Sequence, residues 1–325
     1  MASETQRAGS PDLSIVICTR NRGASLLPTI ESVLADAPAD GSAEVLVIDQ
    51  GQSDEVEQAL SPLLARDARL RYHQDSSVGL SVARNVGLRL ARGTLIAFTD
   101  DDCTVEPGWV AALTAAFAAQ PEAGVIFGHV ACAEHDPTQG YLPGFKAREG
   151  LLTRRRMFAG AGHWGMGANM ALRRSTYEQV GPFDELLGAG APLKSAEDVD
   201  YVLRVVRRGI GVYHCAAARV VHYGFRPWAS ASGLMKGAGL GIGAMYAKQV
   251  RAGNLFATLL LFNELRGRAW DVLRNALRGR RPLGANTLLY QLKGFWRGLR
   301  QPLDRRQKPV ALLFERGAVL YEPGS

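Results

Sequence analysis

Three consecutive aspartates, Asp100, Asp101 and Asp102, follow an apolar segment that ends at Thr99. Adjacent carboxylates repel one another, and a hard divalent cation such as Mg2+ or Mn2+ relieves that repulsion by taking their oxygen atoms as ligands. The alternative is a solvated acidic turn before a helix that starts near Pro107. The triplet alone leaves both interpretations open.

A second acidic cluster, Glu197, Asp198 and Asp200, lies at the start of a predicted helix over 198–208. Acidic side chains at a helix N-terminus interact favourably with the backbone dipole, so Glu197 fits a plain capping role. A general base also requires a carboxylate that a rigid element holds within reach of a hydroxyl proton. Asp198 is the candidate for such a base.

The elements before these clusters alternate between strand and helix patterns. Continuous apolar runs at 13–18, 44–49 and 95–99 are typical of strands buried on both faces, and helical patterns lie at 26–34, 53–66 and 80–92. This alternation predicts an α/β domain with a mainly parallel sheet and helices on both faces. Ligands of such sheets bind beyond the carboxyl ends of the strands, where Asp49 and the triplet fall.

Several short motifs occur in a fixed order between Ser14 and His222, and together they resemble family 2 glycosyltransferases of the GT-A (Rossmann-like) fold. The motifs are Thr19-Arg20-Asn21-Arg22, Val47-Ile48-Asp49-Gln50-Gly51, Gly79-Leu80-Ser81-Val82-Ala83-Arg84-Asn85-Val86-Gly87, Phe98-Thr99-Asp100-Asp101-Asp102, Gly167-Ala168-Asn169, Gly181-Pro182-Phe183-Asp184-Glu185, Glu197-Asp198-Val199-Asp200 and Val220-Val221-His222. The resemblance covers about two thirds of the chain. It implies an enzyme that moves a sugar from a nucleotide-sugar donor to an acceptor hydroxyl.

The resemblance also implies roles for single residues. Contacts with the nucleotide sugar are expected from Thr19, Arg20, Asp49, Arg84, Asn85, Asp100 and Asp101. Asp102 is expected to be the main ligand of Mg2+ or Mn2+, with support from Asp100 and from His222, for which a structural role is the alternative. Asp198 is expected to be the base of a single displacement with inversion. Gln50 stands where the family often has a second aspartate. The family's contacts with the nucleobase are therefore not assigned in detail to this chain.

Two other functions remain as alternatives at this point. A nucleotidyltransferase would need a glycine-rich, lysine-containing phosphate loop after the first strand, and Thr19-Arg20-Asn21-Arg22-Gly23 is not such a loop. A non-catalytic, membrane-associated scaffold with a degenerate transferase domain is disfavoured because both acidic clusters are present. The four cysteines have no metal-ligand spacing, which makes zinc improbable and indicates a reducing, cytoplasmic location.

Charge divides the chain into unequal parts. Residues 1–13 form an expected flexible tail, residues 14–225 the catalytic domain and residues 226–325 a basic, amphipathic helical region. From Arg226 to Lys308 there are 16 Lys or Arg residues and three acidic residues. Basic helices with aromatic residues favour an anionic membrane surface, reached through 226–309 on the inner membrane face. Packing against the catalytic domain or a second subunit is the alternative, and no nucleic-acid motif is present.

Overall fold

The computed structural model describes residues 11–279, 285–304 and 313–315. Most of the expected tail, residues 1–10, lies outside them. The first part of the chain alternates strands and helices as the sequence predicts: β1 (Leu13–Thr19), α1 (Leu27–Asp36), β2 (Ala43–Asp49), α2 (Glu55–Arg66), β3 (Leu70–Gln74), α3 (Leu80–Leu90) and β4 (Leu95–Asp100). These strands pair in parallel in the order β3-β2-β1-β4. Ile15, Val16 and Ile17 are all fully buried because helices cover both faces.

The chain continues with further strands and helices, and most of the strands extend this sheet. They are β5 (Cys103–Val105), α4 (Trp109–Ala119), β6 (Ala123–Cys132), β7 (Gly140–Tyr141), β8 (Gly150–Leu151), α5 (Arg154–Met157), β9 (Asn169–Arg173), α6 (Arg174–Val180), α7 (Glu197–Arg207), β10 (Gly211–His222) and β11 (Arg226–Pro227). Within the described residues, nine strands form one sheet in the order β3-β2-β1-β4-β9-β6-β10-β5, with β8 beside β10. Strands β7 and β11 pair separately. The α/β sheet is confirmed, and its second half is mixed because β9 runs antiparallel to β4 and β6.

The buried amide of Asn169 fixes β9 in the middle of the sheet. It donates hydrogen bonds of 2.9 Å to the carbonyls of His129 and Ala218, on β6 and β10. Its oxygen accepts the indole N–H of Trp109 on α4, also at 2.9 Å. Gly128 leaves room for this amide, since a Cβ there would collide with it. One polar side chain thus joins three elements and satisfies its own buried groups.

Three long helices follow the sheet: α8 (Trp228–Arg251), α9 (Leu255–Leu277) and α10 (Ala285–Arg300). The basic helical region expected from the sequence is therefore present, although Arg280, Arg281 and Lys308 lie outside the described residues. Helices α8 and α10 approach closely at Gly243 and Gly294, where added Cβ atoms would meet the facing backbone. Among the described helices, none is long and apolar enough to span a bilayer.

A buried cluster of charges joins α8 to the catalytic part of the chain. The Lys248 ammonium is fully buried and lies 2.5 Å from the Asp184 carboxylate and 2.8 Å from that of Asp200. Arg204 completes the cluster through a 2.9 Å bond to Asp200. Since Asp200 lies on α7, the helix that begins with Glu197 and Asp198 is tied directly to the C-terminal helices.

Candidate active site

A cavity of about 550 Å3 opens at the carboxyl ends of β1, β2 and β4. Its lining comprises Cys18, Thr19, Arg20, Asn21, Arg22, Gln50, Gly79, Leu80, Asp100, Asp101, Asp102, Ala189, Gly190 and Arg226. Five residues expected to contact donor or metal, Thr19, Arg20 and the aspartate triplet, therefore surround one space. Its position agrees with the general rule for ligands of such sheets.

The carboxylate of Asp101 is held by the loop that follows β1. Thr19 donates its hydroxyl to Asp101 Oδ2 at 2.8 Å, and the Arg22 guanidinium lies 2.9 Å from Asp101 Oδ1. The same guanidinium nitrogen lies 2.9 Å from Asp102 Oδ2. Asn21, within this loop, has a φ of 56°, in the left-handed region. Sequence reasoning assigned no role to Arg22, although a cation beside three acids was the available signal.

Asp102 lies against His222 because β5 and β10 are antiparallel neighbours, with His222 opposite Cys103. The His222 Nε2 atom is 3.3 Å from Asp102 Oδ1. Burial opposes ionisation of Asp102, but the hydrogen bond from His222 and the charges of His222, Arg22 and Arg226 outweigh it and lower the pKa of this carboxyl. Gly224 lets the backbone pass close by, since a Cβ there would meet both Asp102 and His222.

The donor atoms at this point suit a hard or borderline cation. Ligand atoms of Asp102, Cys103 and His222 lie within 4.8 Å of one another. Burial raises the pKa of the Cys103 thiol, which disfavours the thiolate form that binds metals. The remaining carboxylate and imidazole are ligands that Mn2+ accepts. Within the described residues, the buried Nδ1 of His222 has no hydrogen-bond partner. These residues fit a divalent metal.

Arg84 connects the two acidic clusters. Its guanidinium is almost completely buried and lies 2.9 Å from Glu197 Oε1 and 3.5 Å from Asp100 Oδ1. Burial and repulsion from Asp198, only partly offset by Arg84, raise the pKa of Glu197 to about 7. Burial likewise raises the pKa of Asp100, against the attraction of Arg84 and with repulsion from Asp102 and Asp101. Arg84 is thus shared by Asp100, at the edge of the cavity, and Glu197, at the start of α7.

Asp198 is half-buried beside this bridge. Its Oδ2 accepts the backbone N–H of Gly167 at 2.9 Å, and its Oδ1 accepts the N–H of Val199 at 2.7 Å. Gly167 also packs against the Arg84 guanidinium, where a Cβ would come within 2.5 Å of a nitrogen atom. The carboxylate is therefore oriented by two backbone donors on separate segments.

Two expected donor contacts have different partners in the structure. Both carboxylate oxygens of buried Asp49 accept hydrogen bonds from the chain, from the Gly51 N–H at 2.7 Å and the Tyr72 hydroxyl at 2.9 Å. Asn85 donates to the Phe183 carbonyl at 3.0 Å and to Glu185 at 2.8 Å, and accepts the Phe183 N–H. Asn85 thus fixes the turn after Gly181 and lines a second cavity. The sequence did not predict these partners of Asn85, because they lie about 100 residues away along the chain.

A glycine-rich loop forms part of the wall of the 550 Å3 cavity. Ala189 and Gly190 line it, and the Ala189 carbonyl accepts the Leu80 N–H at 2.9 Å where α3 begins. Gln50 supports the same edge through bonds of 3.0 Å to the Ser77 hydroxyl and 3.2 Å from the Gly79 N–H. The Gln50 amide therefore organises the cavity wall at a position where the resembling family often has aspartate.

The sequence over residues 14–181 matches the model of glycosyl transferase family 2. Because the match spans more than half of the chain, the chain belongs to this family. It is a glycosyltransferase. Family membership decides against the nucleotidyltransferase alternative.

Curated relatives are similar over somewhat less than two thirds of this chain. Glucosyl-dolichyl phosphate glucuronosyltransferase of Haloferax volcanii is 27% identical over 65% of this chain and 68% of its own length. Validoxylamine A glucosyltransferase of Streptomyces hygroscopicus subsp. limoneus is 29% identical over 62% of this chain, but the match spans only 49% of that protein.

Solved structures show the same fold. A mannosyltransferase from Pyrobaculum calidifontis, in complex with GDP-Man and Mn2+, aligns with a TM-score of 0.58 and 17% identity over 88% of both chains. GalNAc-T7 with UDP, GalNAc and Mn2+ aligns with a TM-score of 0.54 and 19% identity over 79% of this chain and 54% of that one. The GT-A fold expected from the sequence motifs is confirmed.

Proposed function

We propose that this chain transfers a sugar from a nucleotide-sugar donor to a hydroxyl of a saccharide, glycolipid or other glycan acceptor, by a metal-dependent single displacement with inversion. The bridge formed by Arg84 carries this proposal. It brings the carboxylates after β4 and those at the start of α7 together, although Asp100 and Glu197 are far apart in sequence. A donor site and an acceptor base must be adjacent for a direct displacement.

Asp198 is the proposed base. The Gly167 and Val199 N–H groups hold its two oxygens, so the carboxylate has a fixed direction before an acceptor arrives. It takes the acceptor hydroxyl proton while that oxygen attacks the anomeric carbon and the bond to the leaving diphosphate breaks. No covalent sugar–enzyme intermediate is required.

Asp102 and His222 are the proposed metal ligands, with Asp100 beside them. A bound divalent cation would offset the negative charge that develops on the leaving diphosphate. Thr19 and Arg20 line the cavity and are the proposed contacts of the nucleotide, and Asp101, which Thr19 holds, is the proposed contact of the ribose. Similarity to two structures that contain Mn2+ and a nucleotide or nucleotide sugar supports the metal and donor class.

A panel of nucleotide sugars tests the proposal. Each donor is titrated into the protein with and without Mn2+, and both binding and slow donor hydrolysis are measured. At least one donor should bind with an affinity that falls at least about tenfold when Asp102 is replaced by Ala. Donor binding that is equal with chelator present, and unchanged in Asp102→Ala, would contradict the metal assignment.

A further inference from the structure

The second helix of the C-terminal region, α9, has two apolar faces. Ala257, Leu260, Leu261 and Glu264 are buried against the rest of the chain. The other face exposes a line of large apolar side chains at intervals of three, four or eight residues: Leu255, Leu259, Phe262, Trp270, Leu273 and Leu277. Their exposed fractions run from 48% at Leu273 to 77% at Leu277. At 1.5 Å per residue this stripe is roughly 30 Å long, more than single surface leucines produce by chance.

Helix α10 carries further exposed apolar residues. Leu289, Leu292 and Trp296 are exposed by 60%, 43% and 61%. The opposite side of this helix is buried, since Gly294 and Gly298 pack directly on the backbone of α8. The two helices are thus fixed to the chain by one side and expose aromatic and aliphatic side chains on the other. We call the exposed apolar residues of α9 and α10 the outer face.

Cationic residues outnumber acids on the two helices that carry the outer face. On α9, its C-cap and α10 these are Arg266, Arg268, Arg274, Arg278, Lys293, Arg297 and Arg300, against the acids Glu264 and Asp271. Glu264 is buried, where it accepts from Tyr246 at 3.1 Å and pairs with Arg268 at 2.9 Å. Asp271 is paired with Arg274 at 3.2 Å. The described residues of the two helices therefore carry a net positive charge.

Exposed apolar residues together with positive charge favour one class of binding partner over the others. Nucleic acid would match the cations but would leave the leucines and tryptophans in water. A second copy packed by two-fold symmetry would place the same positively charged face against itself. An anionic lipid surface accommodates both features, because tryptophan and leucine enter the headgroup region while arginine remains at the phosphates.

We propose that the outer face of α9 and α10 docks this chain on a membrane surface that contains anionic lipids. The helices lie in the headgroup layer and do not cross it. The inference is independent of the sugar, the nucleotide and the metal, and it supplies the chain with a location where an acceptor anchored in lipid is accessible.

Vesicle flotation of the full chain tests the docking. Vesicles of phosphatidylcholine with about one third phosphatidylglycerol should retain the protein at low salt, whereas vesicles of phosphatidylcholine alone should retain about tenfold less. Leu273→Glu should reduce binding at least about tenfold, because it places a charge within the apolar stripe. Leu151→Glu is the control, since Leu151 is an apolar residue of β8 that is 39% exposed and does not belong to the outer face. Arg274→Glu with Arg278→Glu should reduce the preference for anionic vesicles at least about tenfold.

The proposal would be overturned by equal binding to both vesicle types, by unchanged binding of Leu273→Glu, or by a dimer in light scattering that Leu273→Glu dissociates. Tighter binding to an RNA or DNA duplex than to anionic vesicles would also overturn it. Circular dichroism verifies that each variant is folded. Donor hydrolysis separates this proposal from the proposed function, because Leu273→Glu should hydrolyse donor normally and Asp198→Asn should still float with vesicles.

Discussion

At the scale of single residues, the site depends on how each carboxylate is placed among cations and backbone donors. Asp102 is surrounded by His222, Arg22 and Arg226, and its pKa is lowered despite burial. Glu197 has one cationic partner, Arg84, and its pKa is raised. Neighbouring acids with opposite shifts are suited to different tasks, one as a metal ligand and the other as a titrating support for the arginine.

Glu197 should give the reaction a pH dependence near neutrality. Below about pH 7 its carboxyl is protonated and Arg84 loses a charged partner, so kcat should rise as the pH increases through about 7. The Glu197→Gln variant should keep a low kcat and lose this inflection. A profile of kcat against pH measures both, and an unchanged inflection in Glu197→Gln would contradict the assignment. Because the folded chain retains this proton longer than the unfolded chain, ionisation of Glu197 lowers the free energy of unfolding as the pH rises towards about 7.

Gly224 provides a test of the metal site that leaves every ligand in place. In Gly224→Ala the new Cβ would occupy the space of Asp102 Oδ2 and contact the His222 ring, so one of them must move. Mn2+ affinity, measured by electron paramagnetic resonance, should fall at least about tenfold. Gly162→Ala is the control, since nothing lies within 4 Å of a Cβ at that position. Equal Mn2+ affinity in both variants would argue against Asp102 and His222 as ligands.

At the scale of elements, much of the architecture could be predicted from the sequence. The predicted strands at 13–18, 44–49 and 95–99 and helices at 53–66, 80–92 and 198–208 differ from the observed elements by at most two residues at either end. Continuous apolar runs and helical periodicity are local signals. The antiparallel insertion of β9 was not predicted, because it depends on contacts of Asn169 with distant strands.

Helix α8 illustrates what composition cannot show. Lys248 interrupts an apolar stretch and looks like a solvated cation in the sequence, whereas in the structure it is fully buried between Asp184 and Asp200. The partners of Arg84 and Asn85 were missed for the same reason. All three are polar side chains whose partners lie many residues away, and spacing along the chain contains no information about such pairs.

Removing the charge of Lys248 should destabilise the fold, including α7, the helix that carries Asp198. Lys248→Met leaves two buried carboxylates without their shared cation, which should lower the free energy of unfolding by about 3–5 kcal/mol in urea titrations. Lys236→Met, on the more exposed part of α8, should change it by less than about 0.5 kcal/mol. Adding Asp184→Asn to Lys248→Met should restore part of the loss. Equal stability of the two lysine variants would show that the buried cluster is not important for stability.

At the scale of the whole molecule, one chain combines a sugar-transfer site with a basic helical surface. The Lys248 cluster joins the two parts, because it binds α8 to the helix that carries Asp198. The uneven charge and the amphipathic character of these helices were visible in the sequence, but the exposure of their apolar residues was not. Only the packing shows which apolar residues of α9 and α10 are buried and which remain exposed.

The most direct test of the proposed reaction separates donor binding from transfer in Asp198→Asn. The amide preserves the size of the side chain but cannot accept the acceptor proton. With a donor found in the panel, calorimetry should give a dissociation constant within about threefold of the wild type, while kcat falls at least about a thousandfold. Normal turnover by Asp198→Asn would show that this residue is not the base.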